Sequence, residues 1–307
     1  MKHLVVGPEG HGVTVYAQQL ATAVGADVIR ETTFGDAHAP DNLNADSDEP
    51  IHVTFTDHLF GSSPNEAAEN VLRCVAGRPF SLSLHDIPQA QEGHERFERR
   101  RPAYEKLAAA ATLTVVNSHS EGAFFRGTPT TPVVIRLPIP RVDSPYQPQP
   151  GTVGVLGFIY PGKGHEDVIA ALVGSDYNLR FLGGVSAGHE DWAEALTAHA
   201  EITGWLSDAE LALEAGKIAV PVCAHRHYSA SGSLMTWLGA GRTVLASDSP
   251  YTREIAEWLP GRITLVRPGQ LRAAIDSFTP EYIDPPDYGW DRVARQWQEQ
   301  WCKAGLM

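Results

Sequence analysis

Cysteine is scarce in this sequence, and the few cysteines form no pattern. The 307 residues include three of them, Cys74, Cys223 and Cys302, which lie far apart and form no C-x-x-C pair. Such spacing does not suggest a disulfide framework. The cysteine content therefore favours a reducing compartment.

Basic residues are also few. The chain has 24 lysines and arginines against 37 aspartates and glutamates, a net charge of −13. A protein whose main task was to bind nucleic acid would need a basic face, because neutralising phosphates drives that binding. The one locally basic run, at 99–101, lies next to Glu95, Glu98 and Glu105, which predicts a solvated helix face. The alternative is a contact with an anionic acceptor or with membrane headgroups.

Long hydrophobic runs are absent as well. No stretch approaches the roughly 20 apolar residues that a membrane-spanning helix needs. The first residues, MKHLVVGPEGHG, lack the apolar core of a secretory signal, so we expect a cytoplasmic protein. The composition, 43% hydrophobic and 20% charged, is that of a globular protein, and the length suggests two domains.

Short β-branched runs alternate with amphipathic helical patterns along the chain. Predicted strands lie at 4–7, 52–56, 80–84, 112–116, 133–137, 152–158, 178–184, 217–222, 243–247 and 262–266. This alternation predicts an α/β protein with parallel sheets. A segment with five prolines, at 137–151, separates the two sets of strands and predicts a linker between two Rossmann-like domains.

The predicted domains are therefore 1–147 and 148–287, followed by a C-terminal helix at 288–307. In that helix Trp290, Val293, Trp297 and Trp301 recur at spacings of three and four, which places them on one face. We expect this apolar face to pack back against the first domain. Two such domains would face each other across a cleft, where ligands bind in open α/β sheets.

The first candidate site is the glycine-rich turn after the first predicted strand. Gly10, His11 and Gly12 precede a predicted helix, whose N-terminal N–H groups can bind an anion or a substrate; the alternative is a turn needed only for packing. His85 and Asp86 follow the predicted strand 80–84. A histidine there can bind a substrate hydroxyl or an oxyanion, or it can be a loop histidine satisfied by the neighbouring carboxylate.

The second candidate site combines two loops of the second half. Gly157 ends a predicted strand, and Lys163 lies between glycines just before a predicted helix. A lysine beside a helix N-terminus suits a diphosphate, the alternative being an exposed loop lysine. Ser231, Gly232 and Ser233 begin another predicted helix; they can donate to phosphate oxygens, or Ser231 can serve as an ordinary helix cap.

Two histidines near this loop form an H-x-H pair, His225 and His227. A metal would need a third ligand, so no metal site is predicted.

Three segments together resemble a known family. GFIYPGKGHEDVIAAL at 157–172, ITGWLSDAEL at 202–211 and SASGSLMTWLGAGRTVLASDSPYTREI at 229–255 resemble, in order and spacing, the C-terminal half of retaining glycosyltransferases of GT-B architecture (the group 1 type). The glycine loop, the His-Asp pair and VVNSHSEGAFF at 115–125 fit the same pattern more loosely.

The resemblance implies a hexosyltransferase-like enzyme of carbohydrate biosynthesis. It would move a sugar from a nucleotide-diphosphate donor to a carbohydrate or small-molecule acceptor, with retention at the anomeric carbon and without a metal or other cofactor. The diphosphate would lie at Gly157, Lys163 and the helix start at 231–233. The acceptor would lie in the first domain, near the glycine loop, His85, Asp86 and the loop 57–61. Weak contact with a membrane surface is compatible with this picture.

The sequence departs from the family pattern at three positions. Phe158 stands where the family commonly has an arginine. Tyr228 and Thr236 stand where it has two glutamates, and we expect them to contact the donor sugar and the ribose. These changes motivate an alternative, a noncatalytic protein of the same fold that serves as a binding or scaffolding partner. A sugar-nucleotide epimerase of similar architecture is a further alternative.

Overall fold

A computed structural model describes residues 1–34 and 48–307 of the protein. Strands and helices alternate along the chain, and every paired strand runs parallel to its neighbours in one of two six-stranded sheets. The predicted α/β class with parallel sheets is therefore confirmed.

The strands of the described residues are β1 Lys2–Val6, β2 Asp27–Glu31, β3 Ile51–Phe55, β4 Phe80–Leu84, β5 Leu113–Val116, β6 Val133–Val134, β7 Gln149–Leu156, β8 Asn178–Leu182, β9 Glu201–Ile202, β10 Ile218–Cys223, β11 Val244–Ser247 and β12 Ile263–Val266. The helices are α1 Gly12–Val24, α2 Asp57–Phe60, α3 Pro64–Val75, α4 His94–Ala110, α5 His119–Gly122, α6 His165–Leu172, α7 Glu190–Leu196, α8 Asp208–Lys217, α9 Gly232–Gly239, α10 Pro250–Trp258, α11 Leu271–Asp276 and α12 Trp290–Lys303.

The chain divides into two compact units. The first unit comprises Met1–Pro138 and Trp290–Met307, and the second comprises Ile139–Gly289. The predicted boundary lay at 147/148. The proline-rich segment between the two positions belongs to the second unit, because Val142 N–H donates to Gly239 O and Gln147 N–H donates to Gly216 O.

The first unit contains the sheet with strand order β2-β1-β3-β4-β5-β6. From β1 the chain goes first to β2 on one side and then to β3 on the other, so the order reverses between β1 and β3. Loops that follow these two strands meet at this switch point, which is where open α/β sheets bind ligands. The core beneath it is built from buried aliphatic and aromatic residues of β1, β3, β4, α3 and α4.

The second unit repeats this arrangement, with strand order β12-β11-β10-β7-β8-β9. Its switch point lies between β7, from which the chain first moves to β8, and β10. The predicted loops around Lys163 and Ser231 are the ones that follow these two strands. The topology therefore places both loops of the second candidate site at one point of the sheet edge.

Helix α12 packs within the first unit, against α1. Trp297 and Trp301 are fully buried, and each indole finds a hydrogen-bond acceptor: Trp297 Nε1 donates to Tyr16 Oη at 3.2 Å, and Trp301 Nε1 donates to Ser81 Oγ at 2.9 Å. These polar contacts fix the position of the amphipathic face. Among the described residues, no helix has the length and apolarity to cross a membrane.

Two strands were absent from the sequence prediction. β2 has the sequence DVIRE and buries only Ile29, and β9 has two residues, Glu201 and Ile202. Both lie at sheet edges, where one side of the strand faces away from the core. β2 has charged residues at both ends and β9 is very short, so neither carries the continuous apolar run of a strand that is buried on both faces.

Candidate functional site

Lys163 is the cation at the switch point of the second sheet. It ends a short 3-10 turn, Pro161–Lys163, that follows β7, and only 8% of the residue is exposed. Its Nζ donates to Ser233 Oγ at 2.9 Å and to Leu156 O at 3.3 Å. Burial lowers the pKa of Lys163 to about 8, with slight opposition from Cys223. The ammonium is thus partly desolvated and available to an anion.

Gly157 gives the lysine its space. The residue has a φ of +105°, and a Cβ there would lie 2.8 Å from Lys163 Nζ and 3.4 Å from Ser233 Cβ. Both the backbone conformation and the missing side chain require glycine. Gly157, Lys163 and Ser233, which the sequence predicted as parts of one site, lie in direct contact.

Ser231 and Ser233 surround the start of α9. Ser231 is the N-cap, since its Oγ accepts from Leu234 N–H at 3.2 Å. Ser233 Oγ lies 3.1 Å from Ser231 Oγ and 3.5 Å from His225 Nε2. Gly232 is exposed and no atom lies within 4 Å of the position of a Cβ. Ser231 therefore caps the helix, while Ser233, in the first turn of α9, binds the lysine.

Tyr228 precedes this helix and Thr236 lies within it, and each offers a hydroxyl group. Thr236 Oγ donates to Gly232 O at 3.0 Å within α9, so it can accept one more hydrogen bond but its proton is already used. Tyr228 is partly buried and interacts electrostatically with Arg253. Neither position supplies a carboxylate.

His225 and His227 do not converge on a common point. Their rings stack at 5.2 Å, and His227 Nε2 lies 2.6 Å from Tyr160 Oη. Burial first, and then the charge of Lys163, push the pKa of His225 well below its usual value, so its ring is neutral. Within residues 1–34 and 48–307, no group of three His, Cys, Asp or Glu side chains could hold a metal ion.

An aromatic pair that sequence reasoning missed lies at the same edge of this sheet. Trp205, after β9, is 68% exposed, and its ring centroid lies 6.0 Å from that of Phe158, in the loop after β7. Gly184 lies beside the indole, since a Cβ there would be 3.8 Å from Trp205 Cε3. The sequence does show a tryptophan directly after a glycine in the segment 202–211, but only the folded chain shows that this side chain is exposed.

His85 lies at the end of β4 in the first unit. Its Nε2 is 3.1 Å from Ser83 Oγ, and its ring packs 4.7 Å from Tyr16. Burial lowers the pKa of His85 to about 4, a decrease that Asp86 opposes and His11 increases. The imidazole is therefore neutral near pH 7 and can accept or donate a hydrogen bond without adding charge.

A buried ion cluster holds the turn that carries Asp86. The Asp86 backbone is left-handed, with a φ of 48°, which is uncommon for a residue other than glycine. Arg100 donates to Asp86 O at 2.7 Å and binds both carboxylate oxygens of Asp57. Tyr104 Oη donates to His85 O at 3.1 Å.

This cluster corrects the interpretation of the arginine run at 99–101. A solvated face was predicted. Arg101 is exposed and pairs with Glu105, but Arg100 is 5% exposed and binds Asp57 and Glu92. The prediction is wrong at Arg100 because a charge run does not show which of its members faces the core of the unit.

The glycine loop lies at the switch point of the first sheet. His11 is the N-cap of α1 and accepts from Val13 N–H at 3.3 Å, while Gly10 is partly buried and Gly12 is exposed. His58, from α2 in the loop 57–61, touches His11 with 3.0 Å between their Nε2 atoms. The structure thus joins the glycine loop to the loop 57–61, which the resemblance assigns to the same acceptor site, through a histidine contact that the sequence did not specify.

Solved structures of known proteins share the fold of this chain. No family model and no curated protein matches the sequence. HepE from Anabaena in complex with UDP and glucose is 15% identical, with 99% of this chain and 100% of that chain covered and a TM-score of 0.70. Sucrose-phosphate synthase from Thermosynechococcus elongatus is 13% identical, with 98% of each chain covered and a TM-score of 0.71.

A third solved structure has the same architecture. AviGT4, a glycosyltransferase involved in avilamycin A biosynthesis, is 14% identical, with 99% and 97% coverage and a TM-score of 0.63. The chain has the GT-B fold. The predicted GT-B architecture is confirmed, and the Lys163 cluster lies at the switch point of the second sheet of this GT-B chain.

Proposed function

We propose that the protein is a glycosyltransferase that takes a nucleotide-diphosphate sugar as its donor. The observation that carries the proposal is the convergence of Lys163, Ser233 and the N-terminus of α9 at the switch point of the second sheet. A cation, a hydroxyl and a helix N-terminus in one place favour a phosphate group. HepE, which shares the fold, has been crystallised with UDP and with UDP-glucose.

This cluster suits the chemistry of glycosyl transfer. When the bond between the sugar and the diphosphate breaks, negative charge grows on the leaving group. Donors that are already fixed around it stabilise the transition state more than the ground state. Lys163 supplies the charge, and Gly157 leaves the space in which a phosphate can approach it.

The nucleoside is proposed to lie over the aromatic pair Trp205 and Phe158. Phe158 and Lys163 both lie in the segment that follows β7, whereas Trp205 follows β9, two strands away in the order β10-β7-β8-β9. Two strands span roughly 10 Å at about 4.8 Å per strand. That span fits the distance between a diphosphate and its base. An exposed tryptophan offers a stacking surface to any base.

The finer parts of the proposal concern the sugar, the acceptor and the stereochemistry. Tyr228 and Thr236 would contact the sugar and the ribose, with Thr236 accepting from a ribose hydroxyl. The first unit would bind a carbohydrate or small-molecule acceptor at the glycine loop, His85 and Asp86. Retention of configuration follows from the resemblance of the three C-terminal segments. Its test is the anomeric signal of the first product in a proton NMR time course.

We further propose that no metal is needed, because Lys163 itself supplies the counter-charge of the diphosphate. Turnover that persists in excess chelator would support this. Turnover that stops in chelator and returns with a divalent cation would reject it.

A thermal-shift panel of UDP, GDP, ADP, CDP and TDP tests the donor site. At about 100 times its Kd, a ligand adds roughly 2.7 kcal/mol to stability, so one nucleotide should raise Tm clearly. Lys163→Met should abolish the shift. Lys217→Met is the matched control, because Lys217 lies before β10, at the opposite edge of the same sheet, and pairs with Glu214. Equal shifts in both variants would reject the site.

A transfer assay then tests the reaction. With the selected nucleotide sugar and a series of carbohydrate acceptors, Lys163→Met should lower kcat/KM by about 10²–10³, the usual cost of a lost transition-state donor. Near-native turnover of Lys163→Met would refute the proposed role. Nucleotide binding without transfer to any acceptor would favour a noncatalytic binding protein.

A further inference from the structure

Two histidines from different loops of the first unit are in direct contact. His11 Nε2 lies 3.0 Å from His58 Nε2, and the ring centroids are 5.0 Å apart. His11 precedes α1, and His58 lies in α2, which follows β3. The pair therefore bridges the two loops that meet at the switch point of the first sheet.

The surrounding contacts fix which nitrogen of each ring carries a proton. Val13 N–H donates to His11 Nδ1 at 3.3 Å, so a neutral His11 carries its proton on Nε2 and donates it to His58 Nε2. His58 must then carry its proton on Nδ1, which lies 3.2 Å from Thr56 Oγ. Thr56 in turn donates to Asp86 Oδ2 at 3.1 Å. Two neutral imidazoles thus complete a one-way chain from α1 to Asp86.

The far end of this chain is rigid. Asp86 lies in the turn that Arg100 and Tyr104 hold through backbone carbonyls, and Thr56 is fully buried. The near end is the cap of α1, beside the exposed Gly12. The chain therefore ties an exposed glycine loop to a fixed turn.

One additional proton on the pair must break the chain. If His11 is protonated, its Nδ1–H faces the Val13 N–H. If His58 is protonated, its Nε2–H needs an acceptor, and His11 can accept only by moving its own proton to Nδ1. The first case removes the cap of α1, and the second removes either the cap or the hydrogen bond between His11 and His58.

We propose that Thr56 and His58 are positioning residues that hold the glycine loop against the His85–Asp86 turn only while both histidines are neutral. One proton on the pair then releases the glycine loop from that turn, and a proton on His11 also frees the first turn of α1. Where this loop binds an acceptor, which rests on the proposed function, acid weakens acceptor binding.

The described residues place two carboxylates and one further histidine near the pair. Asp57 Oδ1 lies 4.0 Å from His58 Nδ1, the Asp86 carboxylate terminates the chain, and His85 interacts electrostatically with His11. Burial and then His58 lower the pKa of His11, while Asp86 opposes the decrease. A neutral His11 is therefore the state near pH 7, and loss of its cap belongs to the acidic side.

The tautomers provide the first test. In the full-length protein labelled with ¹⁵N-histidine, neutral His11 should carry its proton on Nε2 and neutral His58 on Nδ1. A neutral His58 protonated on Nε2 would overturn the proposal, because it could not accept from His11.

Hydrogen exchange of the first turn of α1 provides the second test. In the wild type, protection of the amides that follow His11, corrected for the intrinsic pH effect, should fall about fivefold as the pair gains a proton, the usual effect of losing a helix cap. His11→Asn should keep its protection, because asparagine caps helices without titrating. His94→Asn, at the exposed start of α4 in the same unit, should behave as wild type. Protection that does not change with pH in the wild type would overturn the proposal.

Kinetics separates this inference from the proposed function. For the wild type, the acceptor KM should rise about fivefold in acid. The acceptor KM of His11→Asn should show no such rise. The nucleotide Kd should not change with protonation of the histidine pair in either protein. If the tautomers and the protection behave as expected but no transfer is found, the coupling stands and the proposed function fails. If transfer is found and the acceptor KM does not change in acid, the positioning role is refuted.

Discussion

The pH dependence of nucleotide binding follows directly from the burial of Lys163. Its pKa is lowered to about 8 from an ordinary value of 10.5, and the ammonium form is the one that attracts a diphosphate. Raising the pH through 8 therefore removes the charge from the free site. Binding should weaken in the range of pH 7 to 9, where an ordinary lysine would stay protonated.

The size of the effect follows from the protonated fraction. With a pKa of about 8, roughly nine in ten Lys163 side chains are charged at pH 7 and roughly one in ten at pH 9. If only the charged form binds, the apparent Kd rises about tenfold between these two values. Binding at pH 9 should then take up about one proton, because the bound diphosphate restores the ammonium.

Isothermal calorimetry with the nucleotide selected by the thermal panel measures both quantities. Titrations in two buffers of different ionisation enthalpy at each pH give the proton uptake as well as the Kd. Lys163→Met should bind weakly and show neither effect. A wild-type Kd that stays constant to pH 9 and weakens only near 10.5 would refute the argument, because Lys163 would then titrate as an exposed lysine.

Three further outcomes follow from particular residues. Gly157→Ala should weaken nucleotide binding at least tenfold by calorimetry, whereas Gly174→Ala should not, although both have a positive φ, because only at Gly157 does a Cβ meet other atoms. Arg100→Ala should lower the urea-unfolding stability by about 3–5 kcal/mol, since it removes the guanidinium that pairs with the buried carboxylate of Asp57, and Arg101→Ala should leave the midpoint near that of the wild type. Burial lowers the pKa of His3 to about 3 from 6.5. As the pH falls between these values, the unfolded chain takes up the proton before the folded chain does, so this residue should lower the free energy of unfolding by about 1.4 kcal/mol per pH unit. His3→Phe should flatten that slope; an unchanged slope would contradict the assignment.

The sequence predicted the central strands of both sheets, and also the edge strands β6 and β12, which are only partly buried. Runs such as LVV in β1 and VLA in β11 are apolar throughout because helices cover both sides of a parallel sheet. The run FSLSL in β4 is also wholly buried, since its serines bond to histidines, Ser81 to His52 and Ser83 to His85. The edge strands β2 and β9 escaped prediction because β2 has charged residues at both ends and β9 has only two residues.

The sequence predicted the loops that form the candidate sites, but not the individual side-chain contacts within them. Glycines and a lysine beside a helix start are local features, so Gly157, Lys163 and Ser231 could be named in advance. That Lys163 binds Ser233, 70 positions away, depends on the strand order that makes β7 and β10 neighbours.

The sequence by itself determined the α/β class, the two sets of parallel strands and the loops rich in glycine and serine, because periodicity and backbone freedom are properties of neighbouring residues. Only the tertiary structure decided which of the arginines at 99–101 is buried, that His11 meets His58, and that Trp205 is exposed. Each of these depends on the strand order, which brings distant loops together or leaves one at the sheet edge. The electrostatic state of Lys163 was decided in the same way, since its lowered pKa arises from burial that the folded sheet alone creates.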